Sequence, residues 1–393
     1  MSDIEEGRVE RLVAGGAGLL RREGPPCFVR GVLPGERIRY KILGKRRGAV
    51  TGELVELLEP SPRRVSPPCP YYGECGGCEI QEIAYQEQLR LKREILLEQM
   101  KRIGGIPNPK VEVTRSGAAY GSRTRLRLHR EDSGSYGFRR RRSREIVPVE
   151  RCMVASEAVN RELGRLRAEK AKAQEIVLAE HDRGVARSDR PEAVRVTLLR
   201  RGVWFSGAGF FQSNLSMFEG LLRELLRLAA SELQREGTGG SYTLYDLYAG
   251  TGAIAAVTAA GLRERAGAAP EAVHCVEPDG ASARFVSQNL EEFSHTLHEE
   301  PVERFLSDRK PPEREAIIVA DPPRAGLSTA VREWLLRGGP RTLFYVSCDP
   351  ATFARDLALL SGRYTAERVI PFDFFPQTAH VETLCLLRPK EKS

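Results

Sequence analysis

The stretch Leu343–Asp356, LFYVSCDPATFARD, decides how the C-terminal half is read. Leu343 to Val346 form a short apolar, aromatic run that predicts a buried strand. Asp349 followed by Pro350 has the form of an N-cap and the first residue of a helix. Cys348 is then left at a strand end, just ahead of a helix N-terminus. Free backbone N–H groups at such a position favour a thiolate over a thiol, which makes Cys348 a candidate nucleophile. The alternative is a small buried hydrophobe.

Working outward, residues from about 206 alternate strands and helices. GFFQSN leads into an apolar helix from Leu215 to Ala230. Apolar strands are expected at Tyr242–Leu247, Ala272–Val276, Ala316–Ala320 and Thr342–Val346, and the chain ends in two strands joined near Pro376. This alternation predicts an α/β fold with a mostly parallel, doubly wound sheet. In DLYAGTGA, Gly250 and Gly252 lie between a strand and a helix, where the backbone can approach a ligand. Glu277 ends the next strand, where a carboxylate can accept from ribose hydroxyls. Gly261 to Pro270 reads as an extended loop that lengthens the spacing between the two. A further strand ends in ADPPRAG, with Asp321 at the cleft. Glycine turn, acidic strand end and DPPR together point to S-adenosylmethionine rather than NAD.

Before residue 206 the texture differs. Residues 5 to 60 carry several short β-type runs with glycine turns, which predicts a small closed barrel of the OB type, a frequent nucleic-acid-binding module. Lys41, Lys45, Arg46 and Arg47 cluster at a hairpin tip and either meet phosphates or form a solvated turn. SPRRVSPP, from Ser61 to Pro68, marks a boundary. Glu82 to Ile103 has helical spacing at Tyr85, Leu89, Leu96 and Met100, and is expected to pack on its own domain. Residues 111 to 152 read as antiparallel strands. Arg123, Arg125 and Arg127 would then share one face, close to the run Arg139–Arg142 and to Arg144. Arginines without matching acids, near Tyr136 and Phe138, predict an RNA-facing surface. Residues 157 to 182 read as charged helix.

The chain has 393 residues, enough for two or three domains, with 29% charged residues and a net charge of +8. Positive excess suits a polyanionic partner. No apolar run approaches membrane-spanning length, and MSDIEEGRVE is unlike a signal peptide, so the expected location is cytoplasmic. The eight cysteines are therefore not expected to be disulfides. Cys69, Cys75 and Cys78 fall close together and, with Cys152, provide four thiolates. Spacing alone leaves zinc and a [4Fe–4S] cluster open. Cys27, Cys275 and Cys385 read as core.

SCDPAT with HVET, DPPRAG, FFQSN and CPYYGECGGC resemble the RNA uracil-5-methyltransferase family over essentially the whole chain. The nearest branch resembles the 23S ribosomal RNA members with a TRAM domain and an iron–sulfur cluster. The resemblance implies a TRAM/OB barrel over residues 1–60 and a central α+β domain over 61–205, holding a [4Fe–4S] site at Cys69, Cys75, Cys78 and Cys152. A Rossmann-like class I methyltransferase domain follows over 206–393. It implies Cys348 as nucleophile and Glu382 as base. Donor contacts would fall on Gln212, Tyr248, Gly250, Gly252, Ala253, Glu277 and Asp321. The partner would be RNA, 23S ribosomal RNA before transfer RNA, and the protein a monomer. Ala253 stands where the family often has asparagine, so one donor contact would be missing or supplied by backbone. Asp349 replaces asparagine beside the nucleophile and could raise the thiol pKa. The rival readings are a cytosine-5 methyltransferase, a non-catalytic RNA-binding or assembly factor, and a cluster-containing oxidoreductase. The cysteine-free DPPR opposes the first, and the Cys348–Glu382 pair the second. DPPR combined with SCDPAT opposes the third.

Overall fold

The alternating apolar segments build three sheets and a hairpin in a computed structural model that describes residues 4–46, 48–169, 171–236, 241–312, 316–340 and 342–390. Strands β1 (Ile4–Leu12), β2 (Ala17–Leu20), β3 (Cys27–Arg30), β4 (Arg37–Arg46) and β5 (Ala49–Glu59) close into a barrel in the order β1-β2-β3-β5-β4. Val9, Leu20, Val29, Ile38 and Tyr40 fill it. The basic hairpin lies between β4 and β5; Arg47 is outside the described residues.

Helix α1 (Tyr85–Arg102) follows the cysteine loop. Strands β6 (Arg125–Arg130), β7 (Tyr136–Arg139), β8 (Ile146–Pro148), β9 (Glu175–His181) and β10 (Gly184–Arg187) form a second sheet in the order β10-β9-β6-β7-β8. Helix α2 (Glu157–Glu169) packs on it through Val159, Leu163 and Leu166. The expected helix over 157 to 182 is thus cut short: Ile176, Val177, Leu178 and Ala179 are buried in β9. A β-branched run with both faces covered favours a central strand over a helix. Strands β11 (Ala193–Leu198) and β12 (Arg201–Ser206) pair as a hairpin leading into α3 (Leu215–Glu236).

The third sheet comprises β13 (Ser241–Leu247), β14 (Ala269–Val276), β15 (His295–His298), β16 (Ala316–Ala320), β17 (Thr342–Ser347), β18 (Tyr364–Phe372) and β19 (Glu382–Pro389), in the order β15-β14-β13-β16-β17-β19-β18. Between them run α4 (Ala253–Ala266), the short α5 (Gly280–Ala283), α6 (Val286–Asn289) and α7 (Val302–Ser307), then α8 (Thr329–Arg337) and α9 (Pro350–Leu360). Strands β13 to β17 pair in parallel, and β19 runs antiparallel to both neighbours. The expected loop over 261 to 270 is absent: α4 continues to Ala266, capped by left-handed Gly267, and β14 begins at Ala269.

The strand order reverses between β13 and β16, so a cleft opens outside their carboxyl ends. One face of the sheet is covered by α3 and α4 through Leu222, Leu225, Ala255 and Ala259. The other is covered by α8, α9 and α1: Leu96 and Met100 share a core with Phe353 and Leu357. Helix α1 therefore packs on its own segment through Leu91 and Ile95 against Ile80 and Ile83, and in addition on the C-terminal sheet's helices. The chain after it runs beside β18, with Glu112 N–H donating to Val369 O at 2.9 Å and Arg115 bridged to Phe372, which holds the apolar stripe against α9.

Candidate active site and cysteine cavity

The glycine turn after β13 supplies the first wall of the cleft. Tyr248, Gly250 and Gly252 all adopt left-handed φ, at 70°, 55° and 74°. A Cβ on Gly250 would meet nothing within 4 Å, so the backbone faces open space there. Glu277 lies across the turn, its Oε2 accepting from Gly250 N at 2.8 Å and its Oε1 from Asp279 N at 2.8 Å. Ala253 is the first residue of α4 and is buried. Beneath the turn, Asp246 is buried with its pKa pushed up to about 8, chiefly by burial. Its Oδ2 accepts from Ala255 N at 3.0 Å, and among the described residues its Oδ1 has no partner. Left-handed backbone in the turn and the oriented Glu277 carboxylate fit a polar ligand such as S-adenosylmethionine. Gln212 lies in the loop between β12 and α3, braced by β6: Thr124 N–H donates to Ser213 O at 2.8 Å, and Arg125 donates to Gly207 O and Gly209 O.

That brace revises the arginine face. Arg125 is half-buried against backbone carbonyls, and burial pulls its pKa down to about 10. Arg123 donates to Gly77 O at 3.4 Å, and Arg127 pairs with Glu175. Within Arg139–Arg142, Arg140 pairs with Glu74 and Glu145, and Arg141 with Glu79. Several arginines therefore have acids or carbonyls beside them, from the cysteine loop at Glu74, Gly77 and Glu79, from strand β9 at Glu175 and from the nearby Glu145. Arg142, exposed and at φ 57°, stands with Arg141 in the electrostatic surroundings of Arg30 on the barrel.

Asp321, Cys348 and Glu382 come from three adjacent strand ends. Asp321 follows β16, and Cys348 follows β17. Glu382 opens β19, whose antiparallel register pairs Ser347 with Thr383, so Cys348 and Glu382 face each other one residue further on. The expected thiolate is not what these surroundings favour. Burial, then Glu382 and Asp321, push the Cys348 thiol up to about 11, and Arg324 draws it down. The helix N-terminus does not help, because Asp349 has taken its donors: Oδ1 accepts from Ala351 N at 2.9 Å and Thr352 N at 3.0 Å. The charges that raise the thiol are Glu382 and Asp321, with Asp349 turned to its helix. Burial and Asp321 hold the Glu382 carboxyl well above the usual range, and burial raises Asp321 to about 6. Arg324 is the residue that the motif reading left without a role. Its DPPRAG turn is fixed by α9 through Thr352 Oγ1 to Arg324 O at 3.1 Å and Leu327 N to Asp356 Oδ2 at 2.8 Å.

Cys69, Cys75, Cys78 and Cys152 line one cavity with Arg123 and Phe138. Burial pushes the Cys75 thiol up to about 11 and raises Cys78 and Cys152, so thiolates there need a cation. Among the described residues no three His, Cys, Asp or Glu side chains stand close enough to hold a single ion. Cys27, Cys275 and Cys385 are buried, as expected. Among the described residues no helix is long and apolar enough to cross a membrane.

A doubly wound sheet with this strand order and a glycine turn at its switch point defines an S-adenosylmethionine-dependent methyltransferase fold. Residues 279–390 match the sequence profile of the tRNA (uracil-5-)-methyltransferase family. An uncharacterized RNA methyltransferase of Aquifex aeolicus is 31% identical over 434 aligned positions, covering 98% of either chain. One from Streptomyces coelicolor is 31% identical over 94% of this chain and 89% of its own. The chain belongs to the RNA uracil-5-methyltransferase family. The crystal structure of Pyrococcus abyssi tRNA (uracil-54, C5)-methyltransferase in complex with S-adenosyl-L-homocysteine shares the fold, with a TM-score of 0.73 and 22% identity over 98% of this chain and 100% of that one.

Proposed function

We propose that this enzyme methylates C5 of a uridine in RNA through a covalent bond between Cys348 and C6. The observation that carries the reading is the meeting of Cys348, Glu382 and Asp321 at neighbouring strand ends. Uracil C5 is a poor nucleophile while the ring is conjugated. Addition of the Cys348 thiolate at C6 makes an enolate whose C5 can take the sulfonium methyl. Glu382 then removes the C5 proton, and the thiolate leaves. Gln212, Tyr248, Gly250, Gly252, Ala253, Glu277 and Asp321 would hold the donor. The target base cannot be reached inside a stacked helix, so the uridine is flipped out or lies in a loop.

The organisation proposed is a TRAM barrel over 1–60, a central domain over 61–205 and the methyltransferase domain over 206–393. The central segment would hold a [4Fe–4S] cluster on Cys69, Cys75, Cys78 and Cys152. Four sulfurs around one cavity support this. The cluster would supply a cross-link between the cysteine loop and Cys152. Barrel and cluster segments favour 23S ribosomal RNA over transfer RNA in a monomeric, cytoplasmic enzyme. The test is a pair of variants. Cys348→Ala is expected to abolish methylation with RNA still bound. Glu382→Gln is expected to trap an enzyme–RNA adduct, seen as a shifted band on a denaturing gel. Undiminished turnover by Cys348→Ala would remove the nucleophile assignment.

A further inference from the structure

The connection between β18 and β19, residues 373–381, ends at Glu382, and it is buried where connections normally run over the surface. Asp373, Phe374, Gln377, Thr378, Ala379 and Val381 are each at most 4% exposed. A buried connection needs protein partners for its polar groups, and these come from the segment just after the cysteine loop. Lys92 and Asp373 form a fully buried ion pair. Lys92 also donates to Phe375 O at 2.9 Å, and Tyr85 Oη to Asp373 Oδ2 at 2.9 Å.

Gln377 is the second anchor. It holds a left-handed φ of 67°, a conformation an L residue keeps only where its surroundings impose it. Gln88 Nε2 donates to Gln377 Oε1 at 2.8 Å, while Gln377 N–H donates to Gln88 Oε1 at 3.2 Å. Gln377 Nε2 donates to Ala119 O at 3.1 Å, and its carbonyl accepts from Glu79 N at 2.8 Å and Ile80 N at 3.2 Å. Ala379 N–H donates to Glu79 Oε2 at 3.2 Å. Each anchor has several independent tethers, and the connection leaves them three residues before Glu382.

We propose that Lys92, Gln88, Tyr85 and Gln377 are positioning residues for the proton-removal step: they hold the buried 373–381 connection, which leads directly into Glu382 at the start of β19 and steadies it opposite Cys348. The inference rests on the reading of Glu382 as base. Loosening the connection then slows chiefly loss of the C5 proton, because Cys348 is held between β17 and α9 while Glu382 follows directly on the connection.

Two mild variants test this. Gln377→Gly suits the left-handed backbone and deletes the side-chain bonds to Gln88 and Ala119. Tyr85→Phe deletes one bond to Asp373. Single-turnover methyl transfer from labelled donor is expected within about twofold of wild type. Resolution of the covalent enzyme–RNA adduct is expected to slow by about tenfold or more, the scale of a small misplacement of a reacting group. The adduct then accumulates during turnover while donor affinity stays at the wild-type value. Wild-type kinetics in both variants, or a parallel fall of every step without adduct, would overturn the inference. Glu382→Gln is the control. Adduct with Glu382→Gln but not with Gln377→Gly or Tyr85→Phe rejects the positioning role alone. Normal product and no adduct with Glu382→Gln rejects the base on which it rests.

Discussion

Glu382 and Cys348 should be electrostatically coupled, and removing the carboxylate should change the thiol in a direction opposite to its effect on turnover. Burial, Glu382 and Asp321 place the thiol at about 11 in the free enzyme. At pH 8 only ~0.1% of Cys348 is then thiolate. Glu382 is the first of the two carboxylates whose charge raises the thiol, after burial. A nearby like charge is worth roughly 1–3 pKa units. Glu382→Gln removes that charge and leaves the burial. The thiol pKa is therefore expected to fall by about one unit or more, which at pH 9 means about tenfold more thiolate.

The assay is iodoacetamide labelling of Cys348 between pH 7 and pH 10, read by mass spectrometry on its peptide. In wild type, labelling should climb about tenfold per pH unit, without levelling off below pH ~10. In Glu382→Gln the curve should shift to lower pH, while release of methylated RNA stops. Faster alkylation with blocked turnover separates a charge effect on the nucleophile from a proton-transfer role. A wild-type curve that levels off below pH 8 would show an activated thiolate at rest. A Glu382→Gln curve superposed on wild type would show that the two groups do not sense each other. Either result refutes the reasoning.

Two further outcomes are expected. Protein purified without oxygen should be brown and carry about four irons per chain, and Cys75→Ser should lose the colour and the iron together; stoichiometric zinc would refute the cluster. Asp246 has its pKa raised by burial, so the folded state favours its protonated form. Its stabilising share is full below the ordinary carboxylate pKa and is lost as pH rises towards about 8. Asp246→Asn should accordingly raise the melting temperature more at pH 8 than at pH 5, and equal shifts at the two values would contradict the assignment.

What was legible in the sequence follows from the architecture of parallel sheets. Their strands are buried on both faces and read as apolar runs, and ligand groups sit where those runs stop. Hence Asp321 and Cys348 could be placed at strand ends from sequence, and β19 brings Glu382 beside them through its register. The central sheet was harder. Its strand β9, EIVLAEH, is flanked by charges and follows a helix, and only the sheet around it makes Ile176 to Ala179 a strand.

The charge state of the site was the least legible feature, and the reason is physical. The expectation of a thiolate used only what lies next to Cys348 in the chain, a helix start. In the fold, the acid that caps that helix uses its donors, while two other acids arrive from strands β16 and β19. The same holds for Lys92 and Asp373, 281 residues apart in sequence, neither of which has a local signature for pairing. Local sequence specifies where a strand stops and a helix starts. A pKa depends instead on every charge within a few ångströms and on how much water the fold leaves there. A raised thiol is also compatible with the proposed chemistry. Arg324 is the cation that draws it down, and its turn is pinned to α9, the helix that follows Cys348. In the proposed cycle the thiolate is needed only when the pyrimidine stands over it, so a thiol that stays protonated at rest is protected from alkylation and oxidation until RNA is bound.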